Sequence, residues 1–279
     1  MTLLKKNLIT MNKTNPNSFA SLVKKNTTVD QMERAFNSEY DTLLALYEAS
    51  AQDKASEAYA MVLQLHIEAQ NNPSRLTELN SQINEILTVL VSDIYNDTAT
   101  GFGNWYYEAF GHLMSDDITL DTLNAFFGSA VATAASNRAL VINNRISSTI
   151  ERRVINSDNP SELSVDGMAG SFARTETNGA AGLGINEIAG IMFADAILYK
   201  RWVTVGDERV RNTHRIAGSM KPIPRNQLYS VGDTFMMFPA DPQAFGGNVA
   251  GEVIRCRCRS MIVPRVGGGQ SVGSNRLIL

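Results

Sequence analysis

Hydrophobic residues in the first half of the chain recur at intervals of three and four positions, with polar residues between them. This spacing puts the hydrophobic side chains on one face of an α-helix and predicts long helices over about 27–69, 73–90 and 119–156. The cluster Asn71-Asn72-Pro73-Ser74 separates the first two helices, because proline is favoured in the first turn of a helix. Residues 96–103 are predicted to form a loop.

The pattern changes after the turn-forming cluster Ser157-Asp158-Asn159-Pro160, which we interpret as a domain boundary. A helical segment follows, with interruptions at Gly182 and Gly184. Alternating and β-branched segments then predict strands at 199–205, 228–231, 234–238 and 252–263. A helix is expected over Asp207–Ala217, and Gly218 can end it in the left-handed conformation.

These patterns predict an α+β protein whose helical N-terminal domain is followed by a small mixed α/β domain with a short antiparallel sheet. The predicted parts are a flexible N-terminal arm over 1–26, the helical domain over 27–157, the mixed domain over 158–266 and a Gly-rich C-terminal tail over 267–279. The two end segments are expected to be mobile, because polar or Gly-rich sequence without hydrophobic period buries too little surface to fold.

The composition, 44% hydrophobic and 19% charged, is typical of a soluble globular protein. Two cysteines are too few for a disulfide-rich secreted scaffold, and the N-terminus has no apolar run that would suit a secretory signal. No window approaches the roughly 18 uninterrupted apolar residues of a membrane span. We therefore expect no membrane contact, and a location in a reducing cytoplasm or in a particle assembled there.

The net charge of −3 conceals an asymmetry along the chain. Residues 200–279 contain 12 Lys and Arg against 5 Asp and Glu, whereas residues 1–199 contain 13 against 23. A basic C-terminal third can contact phosphate groups or an acidic protein surface. It can equally pair with the acidic part of its own chain, and the sequence leaves both interpretations open.

The most specific chemical signal is the spacing Cys256-Arg-Cys258. In a strand, residues two positions apart share a face, so both sulfur atoms would point to the same side. A disulfide across this spacing would be strained. The two cysteines are then either small buried hydrophobic residues or half of a zinc site that His214 and a fourth ligand, Asp207 or Asp241, would complete. Zinc is the only cofactor that the sequence suggests.

Arginines flank the two cysteines on the opposite face of the predicted strand. Arg255, Arg257 and Arg259 could bind phosphate or carboxylate groups, or they could shield an edge strand from unwanted pairing. One turn apart on the predicted helix, Asp207 and Arg211 are expected to form an ion pair.

The sequence contains no combination of residues typical of an enzyme. A G-x-S-x-G, a Walker-type loop and a His-Glu-x-x-His are absent, and a histidine-finger nuclease would need a histidine besides His214 in residues 158–279. A Cys–His nucleophile needs a cysteine of lowered pKa, and the arginines that could lower it are expected on the other strand face. We therefore predict a protein that is not an enzyme.

Taken together, residues of the last third resemble the phage Mu F-like minor head protein family. The similarity covers about residues 160–265, and it lies in the order and spacing of its parts. These parts are Arg174-Thr-Glu176-Thr, then Trp202-x-Thr204-x-x-Asp207-x-Arg209-x-Arg211-x-x-His214-x-x-x-Gly218, then Phe238-Pro239-x-Asp241-Pro242, and finally Cys256-Arg257-Cys258. The helical first half shows no comparable resemblance.

The resemblance implies a minor head protein of a tailed bacteriophage, present in few copies in the head interior near the portal vertex and assembled in the host cytoplasm. Such a protein acts in head morphogenesis or in genome packaging and delivery. Its expected partners are the portal protein, the major capsid protein, or both, with nonspecific contact to packaged DNA as a further expectation.

Relatives of the family's domain are joined to toxin domains, which keeps other functions open. The alternatives are a metal-dependent nuclease or toxin-like module, or a nonspecific DNA-binding protein in the head.

Overall fold

The computed structural model of the chain describes residues 18–24, 29–114, 120–194 and 196–264. Its first part is helical, with α1 over Phe19–Lys24, α2 over Val29–Asn71, α3 over Leu76–Phe110, α4 over Leu120–Ile155 and α5 over Asp166–Met192. Short 3-10 turns lie at Pro73–Arg75, Gly111–Leu113 and Pro160–Glu162. Long helices followed by small antiparallel sheets confirm the predicted α+β class.

The predicted loop at 96–103 is wrong, because α3 continues through it. Ala99 and Phe102 are fully buried, and α3 packs along α5 at this level. The helix survives two glycines here because tertiary packing outweighs their low helix propensity.

Gly182 and Gly184 do not interrupt α5, contrary to the prediction. They are positions of close approach, since a Cβ at Gly184 would collide with the backbone of Ala99, and one at Gly182 would collide with the ring of Phe238. Small residues therefore let α5 lie close to its neighbours.

Part of the predicted flexible arm is ordered. Phe19, in α1, is fully buried and packs against the rings of Phe36, Trp105 and Phe110, with centroid distances of 5.3–5.5 Å. Aromatic packing of this kind stabilises a short helix that has no hydrophobic period of its own. Residues 1–17 of the arm and the whole Gly-rich tail lie outside the described residues.

The second part contains two small antiparallel sheets. One has the order β2-β1-β6, with β1 over Leu198–Val203, β2 over Ile223–Pro224 and β6 over Arg259–Pro264. The other has the order β3-β4-β5, with β3 over Tyr229–Val231, β4 over Thr234–Met236 and β5 over Phe245–Gly246. In the first sheet, β1 and β6 pair along their whole length, from Leu198 opposite Pro264 to Val203 opposite Arg259.

Two predicted elements differ from those found. The helix predicted over Asp207–Ala217 is α6, which spans Asn212–Ser219 and contains Gly218. Only the end of the strand predicted over 252–263 is a strand, because α7 spans Val249–Val253 and Arg255 reverses the backbone with a φ of 54°.

Hydrophobic residues from both sides of the cluster at 157–160 pack in one core. That core combines the helices with residues of β1 and β6 such as Leu198, Val203 and Ile262. A second, smaller cluster lies around Trp202 and Tyr229 and includes both cysteines. Among the described residues, none of the helices combines the length and the hydrophobicity that crossing a membrane requires.

Lys200, on β1, is 1% exposed. Its Nζ donates to the carbonyl of Met237 at 2.6 Å and lies 4.8 Å from the ring centroid of Tyr229. Burial lowers the pKa of Lys200 to about 7, because water no longer solvates the ammonium group, although the nearby Asp241 opposes this shift.

We predict that Lys200 makes the free energy of unfolding rise as the pH increases from about 7 towards 10. Over this window the unfolded chain keeps the lysine proton, which has an ordinary pKa of about 10.4, while the folded chain has lost it. Urea unfolding at pH 7 and pH 9 measures the rise. Lys200→Met should lose much of it, whereas Lys54→Met, at a partly exposed lysine that pairs with Asp97, should keep it. Equal slopes in the two variants would contradict the assignment.

Candidate metal centre

Three potential metal ligands meet in the second part of the molecule, which contains the two sheets. His214 lies on α6, and Cys256 and Cys258 lie in the segment between α7 and β6. His214 Nδ1 is 3.6 Å from Cys256 Sγ and 3.4 Å from Cys258 Sγ, and the three ligand atoms lie within 4.8 Å of one another. All three residues are buried, and both cysteines are free thiols. This group, the Cys–His cluster, could hold a metal ion.

The segment that carries the cysteines is fixed by α5 rather than by strand pairing. Asn178 donates from its Nδ2 to the carbonyls of Cys256 and Cys258, at 3.0 Å in each case. Its Oδ1 accepts a hydrogen bond from the hydroxyl of Tyr40, on α2, at 3.0 Å. The sequence predicts correctly that both sulfur atoms lie on one side, but the predicted reason, a strand at these residues, is wrong.

Glu252, in α7, orients the histidine. Its Oε2 lies 2.9 Å from His214 Nε2 and also accepts a hydrogen bond from the hydroxyl of Thr213 at 2.9 Å. The ring nitrogen Nε2 therefore faces the carboxylate, and Nδ1 faces the two sulfur atoms. Sequence reasoning missed Glu252, since nothing in the residue order links it to a histidine 38 positions earlier.

The environment shifts the pKa values of the two thiols in opposite directions. The pKa of Cys258 is lowered below its ordinary value, chiefly by a hydrogen bond from Cys256 and further by His214 and the indole of Trp202, although burial opposes the shift. Burial and the neighbouring Cys258 raise the pKa of Cys256 well above its ordinary value. From the sequence, the arginines that could lower a cysteine pKa are expected on the opposite strand face; in the structure, Cys256 and His214 lower the pKa of Cys258 instead.

Neither of the predicted fourth ligands belongs to the cluster. Asp207 accepts two hydrogen bonds from Arg257, at 2.6 and 2.7 Å, which hold the pKa of its carboxyl at about 2. Asp241 accepts from the backbone N–H groups of Met237 and Gln243, at 2.7 and 2.8 Å, and so stabilises a turn. The described part of the chain offers no fourth Cys, His, Asp or Glu to the cluster.

The predicted ion pair between Asp207 and Arg211 is also wrong. Arg211 precedes α6 and donates to the carbonyls of Glu252 and Ile254, at 3.4 and 2.6 Å. Arg209 is largely exposed and shares the Asp207 carboxylate with Arg257. These contacts join the loop before α6 to the segment that carries the cysteines.

The three arginines around the cysteines do not form one row. Arg259 is 3% exposed, donates to the carbonyl of Asn37 and pairs with Asp41 on α2. Arg257 is taken up by the bidentate pair described above, and Arg255 donates from its Nε to the hydroxyl of Ser171 at 2.9 Å. A phosphate site built from all three is therefore excluded, because their side chains diverge towards different elements.

The two charged residues of the family-like pattern on α5 have separate partners. Glu176 is buried, accepts two hydrogen bonds from Arg138 at 2.6 and 2.8 Å, and accepts a third from the hydroxyl of Tyr95 at 3.1 Å. Arg174 is about half exposed and pairs with Glu48 on α2 at 2.6 Å. One residue therefore belongs to the core and the other to the surface.

The remaining pattern residues are structural. Trp202 is 1% exposed and packs edge-to-face on His214, with ring centroids 5.2 Å apart. Gly218 leaves little room for a side chain beside Thr204, and Pro239 is buried next to the turn that Asp241 stabilises. Of these residues, Trp202 packs directly against the Cys–His cluster.

Comparison with known proteins finds no family model, no curated protein and no solved structure that matches this chain. The resemblance described above therefore rests on the residue pattern alone.

We predict that Glu176→Ala lowers the free energy of unfolding by about 3–5 kcal/mol, because it leaves the Arg138 charge buried without a partner. The matched control is Arg174→Ala, two residues earlier on the same helix, which breaks a partly exposed pair and should cost no more than about 1 kcal/mol. Chemical denaturation of both variants measures the difference. Equal losses would contradict the prediction that the buried pair contributes more to the free energy of unfolding than the exposed pair.

Proposed function

We propose that this chain is a minor head protein of a tailed bacteriophage, a structural component of the head interior near the portal vertex. Its role would be in head morphogenesis or in genome packaging and delivery, through contact with the portal protein, the major capsid protein, or both. It is proposed to act by binding and not by catalysis.

The observation that carries this proposal is that two of the four parts of the family-like pattern meet in one contiguous unit. Trp202 contacts His214, and His214 faces both cysteines. Asp207 pairs with Arg257, the residue between the two cysteines. Residues far apart in sequence would not be expected to meet if the pattern had arisen by chance. The meeting supports the resemblance, and the resemblance supplies the function.

We infer further that the Cys–His cluster binds zinc. In a tetrahedral site with Zn–S of about 2.3 Å and Zn–N of about 2.0–2.1 Å, sulfur and nitrogen ligands lie about 3.5 Å apart. The two Sγ–Nδ1 distances, 3.6 and 3.4 Å, fit this value. Thiolate and imidazole ligands favour zinc over magnesium or calcium, and a carboxylate on the far ring nitrogen is the usual support of a zinc-bound histidine. The fourth ligand would be a water molecule or a group from another molecule.

Bound zinc would supply stability. It would join α6 to the segment between α7 and β6, which enclose a small hydrophobic cluster. Cores of this size stabilise a fold weakly, and metal binding is a common supplement. In the proposed head protein, the zinc-bound cluster would keep this part of the molecule rigid.

We predict about one zinc per purified chain by elemental analysis, and a lower melting temperature after treatment with a chelator. Glu252→Gln should lower zinc affinity about 10–100-fold, because it loses the charged partner of His214. Glu208→Gln removes the same charge from an exposed position nearby and should leave the affinity unchanged. Metal-free protein whose melting is insensitive to chelator would refute the zinc site.

We predict a low, portal-like copy ratio of this chain to the major capsid protein when purified particles are analysed by quantitative mass spectrometry. A minor component docked at a single vertex must be far rarer than the protein that builds the shell. Particles made with Cys256→Ser and with the Glu208→Gln control would test whether the cluster matters for incorporation. Absence of the wild-type chain from particles would overturn the head-protein proposal.

A further inference from the structure

A cleft with a volume of about 690 Å³ is lined in part by all three residues of the Cys–His cluster. One wall comes from the helices and includes Asp41, Glu48 and Arg174. The facing wall comes from the loop before α6 and from the segment between α7 and β6. The cleft therefore lies between the helical part of the molecule and the sheet-containing part.

The lining of this cleft is rich in arginine. Five arginines contribute to it, and they are Arg174, Arg209, Arg211, Arg255 and Arg257. The lining carboxylates already have partners, because Asp41 pairs with Arg259 and Glu48 pairs with Arg174. Arg257 is likewise engaged by Asp207, which does not line the cleft.

Two of the lining arginines have no carboxylate partner among the described residues. The hydrogen bonds of Arg211 go to two backbone carbonyls, and the side-chain hydrogen bond of Arg255 goes to the hydroxyl of Ser171. A guanidinium group has five N–H donors, so both side chains keep donors and an uncompensated positive charge. Arg255 is exposed and Arg211 is half-buried, so water solvates both charges, and an anion bound in the cleft would gain an electrostatic interaction with each of them.

The backbone also supports this arrangement. Arg255 adopts a φ of 54°, a conformation that few residues other than glycine and asparagine adopt easily. Its N–H donates to the hydroxyl of Thr175, on α5, at 3.0 Å. Glycine would adopt this backbone conformation more easily than the arginine that occupies the position. Strained positions of this kind cluster at functional sites.

We propose that this cleft is a binding site for an oxyanion, a carboxylate or phosphate group, held by Arg211 and Arg255. Planar guanidinium groups match both anions through paired N–H···O hydrogen bonds. The cavity is larger than one such anion, and Leu44, Val205 and Val210 also line it. The ligand is therefore an anionic group attached to a larger, partly apolar molecule. Arg211 and Arg255 are not ligands of the proposed zinc ion, so the anion site can be tested with and without zinc.

Isothermal titration calorimetry of the full chain at constant ionic strength tests the site, with inorganic phosphate and acetate as probes and chloride as the reference. We expect saturable binding with one site per chain and an increase in melting temperature, because a ligand that binds the folded chain and not the unfolded one stabilises the folded state. Binding of phosphate alone would identify phosphate as the source of the anion, and binding of acetate would identify a carboxylate.

The variant Arg255→Asn should weaken binding about tenfold or more, the loss expected for one hydrogen bond to a charged group. Asparagine tolerates the left-handed backbone, so this variant should fold even if Arg211→Gln does not. Arg215→Gln is the matched control, because Arg215 is an exposed arginine of α6 that donates to the carbonyl of Glu208 and does not line the cleft.

Each probe is titrated with and without added zinc. A chain that takes up no zinc but binds the anion refutes the metal site and supports this inference. No saturable binding of either anion, or equal weakening by Arg255→Asn and Arg215→Gln, overturns the inference whether or not zinc binds.

Discussion

The hydrogen bonds of one buried amide fix the geometry on which the candidate site depends. Asn178 projects from the middle of α5 and binds the carbonyls on both sides of Arg257, while Tyr40 fixes its oxygen. An amide buried in this way is stable only when its donors and acceptor are all satisfied. The positions of Cys256 and Cys258 relative to His214 therefore follow from the position of α5 in the helical core.

The same helix connects the two parts of the molecule in other ways. Thr175 accepts the N–H of Arg255, and Glu176 neutralises Arg138 on α4. Close packing at Gly184 brings α3 within reach. A helix that is buried on most of its surface and carries polar side chains with specific partners holds both parts in place, so damage to it is expected to affect both the helices and the Cys–His cluster.

How much could be read from the sequence depended on the range of the interactions. The three- and four-residue spacing predicted α2 and α4, and the cysteine spacing with His214 predicted the cluster, because local periodicity and ligand chemistry suffice there. The course of α5 could not be predicted, since a helix buried on all sides loses its period. Asn178 and Glu252 were missed and Arg259 was misplaced, because their roles depend on contacts 38 to 222 positions away in sequence.

The contact between β6 and α2 has a consequence for how the chain folds while it is being synthesised. Arg259 of β6 bonds the carbonyl of Asn37, 222 positions earlier, so α2 is synthesised long before its partner. At about 5–20 residues per second, the delay is about 10–40 s. During that time the Asp41 side of α2 remains uncovered. Yield of folded protein would then be governed by how well this half-finished chain is protected from aggregation, more than by the stability of the finished fold.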